Sequence, residues 1–140
     1  MLAEAEKIIY TAQVHTTGGR NGAARSSDGR LDITLTFPGA PGTGTNPEQL
    51  FAAGWSACFE GAMGLAAKSM KIELPAGTAV DAEVTLFNAA GEFGLRARLD
   101  VHLPGLDRDV AQAVIDAAHR TCPYSKAVRG NIDAVVSLAR

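Results

Sequence analysis

The sequence predicts a single α+β domain. Three observations lead there: segments that alternate apolar and polar residues with a period of two, one long apolar stretch behind a helix-start signal, and an order of strands, long helix, hairpin, helix and strand without linker or internal repeat. The 140 residues suit one domain, 1–140, and a chain of that size buries roughly 68–70% of its unfolded surface, enough for a core without metal or disulfide staples. A content of 46% hydrophobic and 20% charged residues excludes disorder. Thirteen basic against fifteen acidic side chains, with no Lys/Arg run, give a nucleic-acid surface no electrostatic support.

The elements follow in order. Lys7 to Thr16 alternates, with Ile8, Tyr10, Ala12 and Val14 on one face, and reads as a strand. Thr17 to Gly22 is a loop or wide turn, and Ser27-Asp28-Gly29-Arg30 a tight turn, because Asp-Gly accepts positive φ. Leu31, Ile33, Leu35 and Phe37 mark a half-buried strand, and the Gly/Pro-rich stretch from Pro38 to Thr45 a loop. A long helix starts at Asn46: Asn caps well, Pro47 suits the first helical position, and Gln49 completes a box-like Asn-x-x-Gln. It should reach Ser69 or Lys71, and its nearly all-round apolar middle predicts a central buried helix. Ala79–Phe87 and Phe93–Leu103 form a hairpin around Asn88–Glu92, with Leu95, Ala97, Leu99, Val101 and Leu103 on one face. Asp107 caps a second helix with a stripe of Val110, Ala113, Val114 and Ala117; Pro123 stops it and pushes Cys122 into an extended conformation. A turn at Arg129-Gly130-Asn131 leads into a last strand, Ile132 to Leu138.

The stretch Met1 to Lys7 carries acids where an export signal would carry bases. Leu50 to Ala67 is long enough for a membrane span, but Glu60, its glycines and alanines, and the upstream cap make it a buried helix of a soluble protein. Two cysteines are too few for a secreted disulfide scaffold. A cytoplasmic protein is expected, with no membrane and no nucleic-acid partner.

Those cysteines then need an explanation. Cys58, between Ala57 and Phe59, reads as a small core residue or as a reactive thiol. Cys122, at a helix end beside Thr121, Tyr124 and Ser125, sits where a thiol can move and meet another sulfur. His119 and the two cysteines fall short of a recognised zinc spacing, so no metal site is expected. His15 and His102 lie on polar strand faces and read as solvated. Arg20 alone would be a loop charge, and Glu48 in the first helical turn a partner of the helix dipole.

Taken together these segments resemble a family. Thr17-Gly18-Gly19-Arg20, Ser27-Asp28-Gly29, the block Asn46-Pro47-Glu48-Gln49-Leu50-Phe51-Ala52-Ala53-Gly54-Trp55-Ser56-Ala57-Cys58-Phe59, and Cys122-Pro123-Tyr124-Ser125-Lys126-Ala127 with Arg129-Gly130-Asn131-Ile132 resemble the organic hydroperoxide resistance (Ohr) branch of the OsmC-like proteins. Trp55 departs from the family pattern, which has Tyr there. The resemblance implies an OsmC/Ohr-like fold, with antiparallel sheets packed around a long central helix in an intertwined homodimer. It implies a thiol peroxidase that reduces organic hydroperoxides to alcohols. Cys58 would be the peroxidatic residue, Cys122 the resolving one, and Arg20 with Glu48 the polar pair that activates the thiolate. The implied reductant is external, a dihydrolipoyl group free or on a lipoylated carrier protein, with no cofactor bound.

The residue chemistry agrees with that assignment. A buried thiol has a raised pKa, so a nearby guanidinium is the minimum requirement for ionisation. Phe51, Trp55 and Phe59 are candidates for an apolar pocket that would favour alkyl or lipid peroxides. Glu48 and Cys58, ten positions apart in one helix, are separated by about 15 Å along its axis. Unless the helix breaks near Gly54, the Glu48 that serves each thiol must come from a second subunit. Two rivals remain at this level: a peroxide-responsive redox sensor using the same cysteine pair, and a catalytically silent dimeric scaffold.

Overall fold

The structure, a computed structural model, describes residues 5–139, so the first four residues of the acidic stretch lie outside the described part. The fold is mixed α+β, built as two compact units, one up to Pro47 and one from Glu48 onward.

The first unit holds a three-stranded antiparallel sheet of β1 (Val14–Thr17), β2 (Ala23–Ser26) and β3 (Asp32–Thr34) in that order. The strand expected from Lys7 is shorter than its alternation suggests. Its partner β2 ends at Ser26, where the chain turns at Asp28-Gly29, so no ladder continues upstream of Val14 beyond the Ser27 N–H bonded to the Gln13 carbonyl. Ile8, Ile9 and Tyr10 are correspondingly exposed. β2 is hidden in the sequence because Ala-Ala-Arg-Ser lacks the β-branched and aromatic residues that announce a strand. β3 stops at Thr34, although Leu35 is buried and forms an isolated bridge with Thr45. The Asp28-Gly29 turn is as expected: Gly29 has φ +75°, and the Asp28 carboxylate accepts from the Ser26 hydroxyl and the Arg30 N–H.

The second unit opens at the second residue of α1 (Pro47–Ser69), a helix unbroken through Gly54, and Lys71 beyond its end takes a left-handed conformation. By length and composition alone α1 could cross a membrane. It is a core helix on one face only: Trp55, Phe59, Ala62, Met63 and Ala67 are buried, while Ala53, Ala57, Gly61 and Leu65 are exposed. The expectation of a helix buried nearly all round is therefore corrected for the single chain. Its apolar stripe is matched by one sheet and one pair of helices, which leaves the other side uncovered.

β4 (Ala79–Ala89) and β5 (Glu92–His102) pair antiparallel over their full length. The loop foreseen between them shrinks to Ala90-Gly91, both at positive φ, a tight hairpin turn matched to strand twist. Ala97, Leu99 and Val101 of β5 are buried, as their alternation requires, and Leu103 follows them into the core. β6 (Asp133–Leu138) pairs with β5 in parallel, so the expectation of purely antiparallel sheets is also corrected. The reason is the crossover: α2 (Arg108–Thr121) and α3 (Pro123–Val128) carry the chain back before β6 begins, which a parallel neighbour requires. The Asp107 carboxylate caps α2, accepting from the N–H groups of Asp109 and Val110. The buried stripe of α2 is Ala111, Val114, Ile115 and Ala118, one position on from the expected set, because the bulkier Ile115 takes the core. The helical phase of that stripe continues to Cys122. His102 is not merely solvated; its Nε2 lies 2.7 Å from the Asp81 carboxylate on the neighbouring strand.

Candidate active site

The second unit brings the two cysteines together. Cys58 lies mid-way along α1 and is partly exposed; Cys122 is fully buried. Their sulfurs are 3.4 Å apart, with both thiols free.

Cys122 is held differently from what its sequence context suggests. It is extended, as a residue before proline should be, with φ −61° and ψ 123°. It is not a loose helix end, however. Its N–H bonds to the Ala118 carbonyl and closes α2, and its carbonyl accepts from the Lys126 N–H and opens α3. Pro123 ends one helix and starts the next, since its missing N–H costs nothing at a first helical position. That proline is the only sequence signal for the short helix α3, and it reads more readily as a stop than as a start.

Tyr124, Ser125 and His119 complete the surroundings. Tyr124 lies across α1 at Gly54, where a Cβ would come within 2.8 Å of its hydroxyl, and its ring faces Phe51 at 6.1 Å. Ser125 is fully buried; its Oγ accepts from Trp55 Nε1 at 3.1 Å and lies 3.1 Å from His119 Nδ1. Phe51 is half-buried, whereas Trp55 and Phe59 are wholly inside the core, Phe59 with its ring 6.4 Å from that of His119. The sequence suggests His119 only as a metal ligand. Among the described residues no group of three or more His, Cys, Asp or Glu side chains converges as a metal site would require.

Burial pushes the Cys58 thiol above the ordinary cysteine range, a hydrogen bond from the Tyr124 backbone pulls it back, and the adjacent Cys122 raises it further. His119 is held below the usual histidine value, first by burial and then by Arg129, with Asp116 opposing. It is therefore a neutral imidazole near neutral pH.

Arg20 belongs to the first unit, on the 3-10 turn Gly19–Asn21. That turn needs its glycines: Gly18 and Gly19 have φ +73° and +56°, and a Cβ on Gly22 would lie 1.7 Å from the Thr17 carbonyl oxygen. Glu48 is half-buried in the first turn of α1. Because α1 is continuous, Glu48 stands about 15 Å along the axis from the Cys58 of its own chain.

Comparison with known proteins places this arrangement. The OsmC-like protein family matches residues 38–137. An organic hydroperoxide resistance protein of Xanthomonas axonopodis pv. citri is 48% identical over 142 residues, covering 99% of this chain and all of the relative. The crystal structure of the organic hydroperoxide resistance protein OhrB of Bacillus subtilis is similar at 44% identity and a TM-score of 0.88, over 94% of this chain and all of that one. An organic hydroperoxide resistance protein of Legionella pneumophila superposes with a TM-score of 0.90 at 41% identity, over 96% and 100% of the two chains. The chain thus belongs to the OsmC-like family, on its organic hydroperoxide resistance branch.

Proposed function

We propose that this protein is a cytoplasmic, single-domain thiol peroxidase that reduces organic hydroperoxides to alcohols. The observation that carries the reading is the pair of free thiols 3.4 Å apart, one partly exposed and one buried, in a chain whose relatives are named for organic hydroperoxide resistance. The Cys58 thiolate attacks the outer peroxide oxygen; the O–O bond breaks, alcohol leaves after taking a proton, and Cys58 becomes a sulfenic acid. The Cys122 thiol condenses with it, forming the S–S bond and releasing water. A dihydrolipoyl dithiol, free or on a carrier protein, then returns both cysteines to thiols by exchange and is itself oxidised to its disulfide.

Ionisation is the difficult step. Burial and the second thiol hold Cys58 up, so a cation must offset them, and we assign that role to Arg20, with Glu48 orienting it. Phe51, with Trp55 and Phe59 behind it, supplies the apolar surroundings that favour alkyl and lipid peroxides. The unbroken α1 separates Glu48 from its own Cys58, and the small residues Ala53, Ala57 and Gly61 leave a face where a second α1 can approach. We therefore propose a homodimer in which Glu48 serves the partner subunit's Cys58.

Two assays test this. With cumene hydroperoxide and dihydrolipoamide, peroxide should be consumed catalytically; oxidation without turnover would indicate a sensor, and no thiol loss a silent scaffold. Mixing inactive Cys58→Ser and Glu48→Ala proteins should restore part of the activity once subunits exchange. No recovery despite proven exchange would return Glu48 to the thiol of its own chain.

A further inference from the structure

Among the described residues of the second unit, Ser125 is the one fully buried polar residue, and its hydroxyl joins all three helices that meet at the sulfurs. Trp55 precedes Cys58 by three residues on α1, His119 precedes Cys122 by three on α2, and Ser125 follows Cys122 by three on α3. Both partners converge on the same oxygen, each at 3.1 Å. An indole N–H can only donate, so one Ser125 lone pair is committed to Trp55. A neutral His119 meets the same oxygen in either tautomer, accepting at Nδ1 from the serine O–H or donating Nδ1–H to its second lone pair, so the hydroxyl bridges the two side chains directly. The Arg129 guanidinium donates to the His119 carbonyl and ties the end of α3 back to α2.

We propose that Ser125 is a positioning residue: its hydroxyl, clasped between Trp55 and His119, holds the reduced sulfurs of Cys58 and Cys122 close enough for disulfide closure without unfolding either helix end. A disulfide needs its sulfurs about 2.05 Å apart, so the pair at 3.4 Å has about 1.4 Å to travel. The Ser125 hydroxyl accepts from the Trp55 N–H, which ties α3 to α1 three residues from each sulfur. Removing the hydroxyl leaves the Trp55 N–H buried without an acceptor and α3 tied to α1 by one bond fewer. The proposal rests on reading Cys58 and Cys122 as a working pair.

The test is a thiol–disulfide equilibrium, run without peroxide on the full chain in mixtures of reduced and oxidised dithiothreitol. Two protein thiols give two electrons and two protons to the oxidised reagent, which becomes its dithiol, and the equilibrium ratio gives the effective concentration of one cysteine for the other. Ser125→Ala should lower it by about tenfold, and Trp55→Phe, which keeps an aromatic ring and removes the N–H, should lower it in the same direction. A purely structural role would destabilise reduced and oxidised protein alike, measured by urea unfolding of each, and leave the equilibrium unmoved; that result in a folded variant overturns the proposal. Wild-type protein that forms no intrachain disulfide would overturn both the clasp and the pairing of the cysteines, whereas unchanged variants beside a normally closing wild type would overturn the clasp alone.

Discussion

Cys58 and Cys122 are the same chemical group placed by opposite means. Cys58 sits in the middle of a regular helix, where its own backbone groups are taken up by the helix, so it contributes only a sulfur at a partly exposed surface. Cys122 sits at a joint where its own N–H closes one helix and its own carbonyl opens another, with its side chain fully buried. The difference fits a division of labour. A thiol that must meet a substrate needs access and a device to lower its pKa, and a thiol that must only meet another sulfur needs a fixed position and shelter from the oxidant.

The largest effect should come from removing each thiol in turn. Cys58→Ser is expected to reduce hydroperoxide consumption to background. Cys122→Ser should still react once, then stall, with Cys58 advancing to the sulfinic acid under excess peroxide. Mass spectrometry of each variant after peroxide addition separates the two. Loss of the first reaction in Cys122→Ser protein would mean that the buried thiol is the one attacked.

The next effect is electrostatic. Arg20→Met should move the pH profile of Cys58 alkylation by iodoacetamide to higher pH, towards the raised value that burial and Cys122 impose. For each whole step of pH by which the profile rises, the thiolate fraction at neutral pH falls about tenfold, and peroxide attack should slow in proportion. An unchanged profile would assign the activating charge to another group.

The site is legible in the sequence where chemistry and spacing coincide, and illegible where a side chain acts through the fold. The thiols, the Asn46-Pro47 helix start, the Asp107 cap and the β5 alternation can all be read directly. The direction of β6 cannot, because strand pairing is decided by the return path through α2 and α3 rather than by the strand's own residues. β2 escapes notice because two alanines, an arginine and a serine become a strand only through their neighbours. Ser125 stands within a motif without a visible role, since nothing in a lone serine predicts that its hydroxyl joins three helices. The full burial expected for α1 overreaches for a related reason: an apolar surface in the sequence does not say how much of it the fold covers.

The smallest effect concerns His119 beside Cys122. Its folded pKa is depressed below the ordinary value of about 6.5, so the unfolded chain binds the proton more readily than the folded one. Stability is therefore retained above that value and declines as the pH falls through it towards the depressed folded value. Asp28 and Asp100 are also held below their usual values, but their stabilisation is present above about pH 4 and is lost only below it. Between about pH 7.5 and 5.0 the slope of the unfolding midpoint should thus flatten in His119→Asn protein, while one that matches wild type would remove the histidine from that window.

The most direct test of the working thiol pair is the intact mass of the fully reduced protein, under denaturing and non-reducing conditions, after one equivalent of an organic hydroperoxide. The expected product is a monomer lighter by two hydrogens, with Cys58 and Cys122 joined in one tryptic fragment pair and the alcohol released in equal amount. Disulfides found only between chains, or a persistent oxygen adduct with Cys122 still free, would contradict it.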